Sequence, residues 1–322
     1  MKIEIDYNKA LDLTRKIIQL KKQDKFPFNK IIFPDTIIPK NIEKGSKEHL
    51  ALIFYSTSLD SNQRSDLLYP KVINFAREIG GLENIAERSE PTLRRIILSS
   101  FGRNSHINYF ETLKTNAEIL KKKYNKNPKE IKGKTVKETT EKICKFFNYG
   151  PEKAALMIKN FVRFGAWDFP ENEIPIKIDR HVQRINLGFG VIDKNKYAEE
   201  ITRKGIAKKL QLTLINLKKR GYITQQDISE NKSRIITAKK FTNALRETHL
   251  KITKEENISA IELDDAYWGI GSGLCNFNDT KYCYLYCPLK CEIRPPSDDN
   301  ANWFFPYIDK RKNSYLVKHL FK

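Results

Sequence analysis

Long hydrophobic runs are missing from this chain of 322 residues: its most apolar short stretch, LALIFY at 50–55, falls well short of the roughly 20 residues a helix needs to cross a bilayer. The start, MKIEIDYNKALDL, has no basic segment followed by an apolar core, so no secretory leader is expected, and the chain is assigned to the cytoplasm with no membrane partner. The alternation of apolar and polar residues that marks half-buried strands is almost absent, and no internal repeat is visible. Cysteine is scarce, with five in the whole chain, too few for a disulfide scaffold. Acidic residues are in deficit as well: 39 Asp and Glu stand against 59 Lys and Arg, leaving a formal charge of +20. Such an excess favours polyanionic partners and salt-sensitive binding, with nucleic acid the first candidate. The competing explanation is a Lys-rich solvated surface with no partner at all.

What the chain does have is helical periodicity. Apolar residues recur at spacings of three and four, beginning with Leu11, Leu13, Ile17, Ile18 and Leu20, the pattern of an amphipathic helix. Further helices are expected at roughly 48–59, 66–79, 91–99, 105–124, 134–146, 151–164, 179–187, 196–218, 233–248 and 258–270; the fold class is therefore all-α. Proline-rich stretches at 26–45 and 166–178 read as connections. Hydrophobic residues make up 40% of the chain, enough for a sizeable core.

Three features carry possible chemistry. The segment TVKETTEKICKFFNYGPEKAALMIKNF reads as helix, FNYG turn and second helix, with Ile143, Phe146 and Phe147 facing the same core as Ala154, Ile158 and Phe161. Asn148 and Gly150 tolerate positive φ, and Pro151 suits the first helical position. Amides at such a helix N-terminus attract phosphate, and Lys153 adds a mobile charge beside them; an ordinary helical corner explains the same residues. Asp179, just before a helix starting at Arg180, is a natural N-cap. Finally, Cys275, Cys283, Cys287 and Cys291 are spaced C-x7-C-x3-C-x3-C, and four thiolates in one loop suit a tetrahedral zinc or an iron–sulfur cubane. Cys144 stands apart and reads as a small core residue.

Taken in order, these features resemble the helix-hairpin-helix base-excision DNA glycosylases related to endonuclease III. The resemblance covers roughly residues 48–190 and 262–291, including LALIFYSTSLDSNQRSDLLYPKVINFA, the hairpin, IDRHVQRI at 178–185 and DDAYWGIGSGLC at 264–275. It implies that Asp179 is the catalytic carboxylate, stabilising charge on the sugar or activating water. It also implies that Asn148, Tyr149, Gly150, Lys153 and His181 contact DNA, with Asp60 or Gln63 filling the gap left by a flipped base. Tyr55, Tyr69, Phe101 and Tyr109 are candidates to stack on that base, although helical aromatics are more often core. At the four cysteines the resemblance implies a [4Fe-4S] cluster, while their spacing departs from the family's pattern and keeps zinc as the alternative. Where bifunctional members carry a lysine nucleophile, alignment of the turn places Glu152, and Lys153 falls one residue, or about 100°, further on.

The expected architecture has an N-terminal segment, 1–47, packing on a second lobe, a helical lobe over 48–165 and a second lobe over 166–322 with the cluster loop at 275–291. The expected activity is hydrolysis of the N-glycosidic bond of a damaged or modified base in double-stranded DNA, by a nucleoid-associated, cytoplasmic monomer using Asp179. Three alternatives accompany it: a glycosylase and lyase using Lys153, a hydrolase of modified nucleosides or nucleotides on the same fold, and a binding module without catalysis. Residues 190–260, rich in Lys and Arg, have no assigned role.

Overall fold

The computed structural model describes residues 5–24, 27–30, 33, 36–60, 65–102, 109–191 and 239–275, together with 287, 289 and 291. Among them the chain is all-α, with no β-strand element: α1 (Tyr7–Lys22), α2 (Lys47–Leu59), α3 (Ser65–Ile79), α4 (Glu90–Phe101), α5 (Tyr109–Tyr124), α6 (Val136–Ile143), α7 (Pro151–Arg163), α8 (Arg180–Gly188), α9 (Lys239–Glu255) and α10 (Ala260–Gly269). The helix expected at 196–218 lies outside the described residues. No helix among those described is long and apolar enough to cross a membrane.

The chain divides into two compact units, one of Met1–Ile31 with Ile178–Lys322 and one of Ile32–Lys177. The second unit is built around α2. Every residue of α2 from His49 to Leu59 is buried, as expected of a helix apolar on all sides and surrounded by others; α3, α5 and α7 pack on it. Ser46 starts α2 by accepting a hydrogen bond from His49 N at 3.2 Å. Thr135 starts α6 in the same way through Glu138 N at 3.1 Å, and the Glu138 carboxylate returns to accept from Lys134 N at 2.8 Å, so the T-x-x-E sequence supplies its own cap.

In the other unit α1 packs against α9 and α10, and α8 packs against α10. Leu13, Ile17, Val182, Ile185, Leu245, Ile252, Leu263 and Ala266 fill its core. A polar knot sits inside: Tyr267 OH and Asn186 Oδ1 lie 3.2 and 3.3 Å from His249 Nε2, and Asn186 Nδ2 donates to Tyr267 OH at 3.2 Å. Burial without a charge partner pushes His249 down to about 3, so the ring is neutral at ordinary pH. Beyond α10 the chain continues as a π-helical turn, Ile270–Leu274. A side chain at Gly271 would collide with His181 on α8, so only glycine permits this approach of the turn to α8.

The hairpin differs from its sequence reading in one respect. Helix α6 ends at Ile143 rather than near 146, because the chain tightens into three-residue hydrogen bonds, Lys145 N to Lys142 O at 3.2 Å and Phe146 N to Ile143 O at 3.0 Å. Tightening the last turn rotates successive side chains by more than the α-helical step. Phe146 consequently points inward, 3% exposed, whereas Phe147, expected in the core, is 40% exposed.

Candidate functional site

The hairpin turn is tied down by side chains from two other helices of its unit. Asn116 of α5 is wholly buried and clamps Phe147 from both sides, its Nδ2 donating to Phe147 O at 3.1 Å and its Oδ1 accepting from Phe147 N at 2.7 Å. Tyr149 lies in the core: its ring stacks on Phe54 at 5.3 Å between centroids and its hydroxyl donates to Phe54 O at 2.6 Å. Burial drives that phenol's pKa well above its ordinary value. Tyr149 was expected to touch nucleic acid; its side chain instead anchors the turn to α2. Two turn amides are also engaged within the protein, Phe147 N by Asn116 and Tyr149 N by Phe146 O at 3.3 Å, so the turn presents fewer amides than its sequence suggests. Asn148 takes the expected left-handed conformation, φ +62°, while Gly150 is extended (φ −140°, ψ −179°) as the N-cap of α7.

The C-terminal end of α2 meets the N-terminal end of α7. A helix leaves its last carbonyls without intrahelical donors, and here the Ser58 carbonyl accepts from Asn148 Nδ2 and from Lys153 Nζ, each at 2.7 Å. Asp60 caps α2, and its carboxylate pairs with Lys177 Nζ at 3.2 Å. The lysine amine thus sits half-buried in the first turn of α7, where the positive end of the helix dipole opposes a second positive charge. Desolvation is the largest influence on it; Asp60 favours the charged form and Lys177 disfavours it, and the result is a Lys153 pKa lowered to about 8. Sequence register places Glu152 where the family's lysine would stand; the perturbed ionisation belongs to its neighbour. Tyr109 senses the same carboxylate, its pKa pushed up to about 12 mainly by burial and then by Asp60.

Asp179 belongs to the other unit, and it does cap α8: its Oδ1 accepts from His181 N at 2.7 Å and Val182 N at 3.2 Å. The carboxylate is therefore held in one orientation at a helix N-terminus. His181 follows it on α8, against the π turn. Glu152 is half-buried at the second position of α7. Gln63 lies outside the described residues. Tyr55, Tyr69, Phe101 and Tyr109 are all core residues, none more than 6% exposed, which removes them as stacking platforms.

Of the four clustered cysteines, Cys275 closes the π turn through Cys275 N to Ile270 O at 2.7 Å, Cys287 is buried, Cys291 is half-buried, and Cys283 lies outside the described residues. As a donor set, the soft sulfur of cysteine fits zinc or iron–sulfur chemistry. Among the described residues no three His, Cys, Asp or Glu side chains converge on a metal position.

Asn116, Lys177 and Ser58 are the residues here that the sequence does not announce. Asn116 is separated from Phe147 by 31 positions and Lys177 from Asp60 by 117, so no local spacing signals either pair; the Ser58 contribution is a main-chain carbonyl and leaves no mark on residue type. Comparison of the chain with models of known protein families, with curated proteins and with solved structures gave no match.

Proposed function

We propose that this protein is a DNA glycosylase that excises a modified base from double-stranded DNA with the Lys153 amine as nucleophile. The observation that carries the reading is the lysine at the N-terminus of the second hairpin helix with its pKa lowered to about 8. A surface lysine near 10.4 presents roughly one neutral amine in 2,500 at pH 7, whereas one near 8 presents about one in ten. Desolvation is a recognised way to make a lysine nucleophilic. The net charge of +20 supplies the attraction for the phosphate backbone, and the hairpin's order in the sequence, ahead of Asp179 and the cysteines, supplies the resemblance.

In this mechanism the neutral amine attacks C1′ of the flipped nucleotide. The C1′–N bond breaks, the base departs with the bonding electrons and takes a proton, and the nitrogen loses one. Ring opening gives a Schiff base, and loss of a C2′ proton expels the 3′ phosphate, cutting the strand. A [4Fe-4S] cluster or zinc at Cys275, Cys283, Cys287 and Cys291 would order the C-terminal loop and has no part in these steps.

A hydrolytic version has its own support, since the Asp179 carboxylate is oriented by two backbone amides and suits activation of water. Incubation with duplexes carrying uracil, 8-oxoguanine, alkylated purines or mismatches, in the presence of borohydride, separates the readings. A covalent adduct lost in Lys153→Gln is expected. Base release with no adduct in the wild type would overturn the amine mechanism in favour of Asp179 hydrolysis; no release from any duplex, with tight binding retained, would leave a binding module.

A further inference from the structure

Asp179 stands where α8 begins, and the beginning of α8 is seated against the π-helical turn that ends α10. The carboxylate is tied to that first turn, its Oδ1 accepting from His181 N at 2.7 Å and Val182 N at 3.2 Å. On its other side Ile178 is buried in the core, and Asp179 O accepts from Gln183 N at 3.0 Å. Whatever sets the position of His181 therefore bears directly on the carboxylate.

The turn Ile270–Leu274 reaches His181 because residue 271 has no side chain. A Cβ there would fall inside contact distance of His181 Cβ and stand 2.6 Å from both Cγ and Nδ1. The imidazole can swing aside about χ1, but Cβ cannot, being bonded to the backbone of α8. Carbon atoms settle at about 3.5–4.0 Å, so a methyl group at 271 would force a displacement of about 1 Å. Gly271 is not among the glycines of positive φ, so His181 excludes the side chain and the backbone conformation does not. The turn is the firmer partner. Ile270 is wholly buried, Ser272 Oγ donates to Trp268 O and Cys275 N donates to Ile270 O, each at 2.7 Å, and α10 behind it is largely buried and packed on α1. The start of α8 is the side that yields. Short π segments inside helices recur at functional sites.

We propose that Gly271 is a positioning residue for the Asp179 carboxylate: the bare turn lets the start of α8 seat against the end of α10, and that seat fixes where the carboxylate stands. The proposal rests on the hydrolytic reading of Asp179 only for its catalytic consequence, because the seat exists in the protein without substrate. A misplacement of about 1 Å is enough to slow a reaction about a hundredfold.

The test is amide hydrogen exchange in the full-length protein, read at His181 and Val182, with Ile252 of α9 as reference. Gly271→Ala should speed exchange at both amides by about tenfold, the scale of a lost N-cap, and leave Ile252 unchanged. Adding His181→Gly removes the atoms that the methyl group would meet. The double variant should then exchange at Val182 within about threefold of His181→Gly alone, and this comparison decides even if Gly271→Ala by itself does not fold. Unchanged exchange at positions 181 and 182, equal acceleration at Ile252, or a double variant no better than Gly271→Ala would overturn the proposal. Base release is scored separately: under the hydrolytic reading Gly271→Ala should lower kcat by about a hundredfold and leave KM in place. Localised, rescued exchange with no base release from any duplex keeps the seat and rejects the glycosylase; base release with exchange unmoved by Gly271→Ala does the reverse.

Discussion

Replacing Asn116 by alanine should loosen the hairpin turn without touching any residue proposed to meet DNA. The side chain makes two hydrogen bonds to one residue, Nδ2 to Phe147 O at 3.1 Å and Oδ1 from Phe147 N at 2.7 Å, from a wholly buried position. Stranding a buried polar group costs about 1–3 kcal/mol, and a group that can recruit water lies at the low end. Phe147 is 40% exposed, so its backbone groups belong near that lower limit, and the two losses together come to about 2–3 kcal/mol. Urea unfolding should show this as a lower midpoint at constant m, and amide exchange at Phe147 should accelerate by roughly 30-fold or more if opening is local. Asn116→Asp is the informative companion. It keeps the acceptor for Phe147 N but turns an oxygen toward Phe147 O, so it should be at least as damaging at neutral pH and recover partly in acid, when the protonated carboxyl can donate again. A loss under about 0.5 kcal/mol in Asn116→Ala, with Phe147 exchange unchanged, would refute the claim that Asn116 holds the turn.

Three further expectations come from other parts of the fold. Tyr149→Phe removes the donor to Phe54 O while keeping the ring stack, and should cost about 1–2 kcal/mol in urea unfolding; a neutral result would mean that water replaces the hydroxyl. His249 is held down to about 3 in the folded protein, against about 6.5 unfolded. Below pH 6.5 the unfolded chain therefore binds a proton that the folded chain refuses, stability is complete above that pH, and it falls as pH drops toward 3. Between pH 7 and 5 the loss should be about 2 kcal/mol, and a flat urea midpoint over that interval would contradict a neutral buried ring. If the cysteine loop holds an iron–sulfur cluster, the purified protein should be brown with broad visible absorbance that Cys287→Ala abolishes; a colourless protein containing one zinc would decide for the other metal.

The amphipathic pattern alone identifies the helices, since apolar residues at spacings of three and four have only one regular way to share a face. It places α2, α3, α4 and α7 to within two residues at each described end. The cap of α8 by Asp179 was equally readable, because capping is settled within three residues of chain. Residue type also marked Asn148 and Gly150 as candidates for positive φ, of which Asn148 adopts it and Gly150 does not.

What the sequence could not decide is which of two adjacent residues, Glu152 or Lys153, has the perturbed proton affinity. Register along a helix gives direction only, whereas proton affinity depends on desolvation and on charges brought in from far along the chain. Lys153 owes its depressed pKa first to burial and then to Lys177, with Asp60 acting in the opposite direction, and Lys177 meets Asp60 across 117 positions. The inward turn of Tyr149 and the outward turn of Phe147 were settled the same way, by Phe54 and Asn116 from separate helices. Helix and cap follow from neighbours in sequence; the character of the lysine follows from neighbours in space.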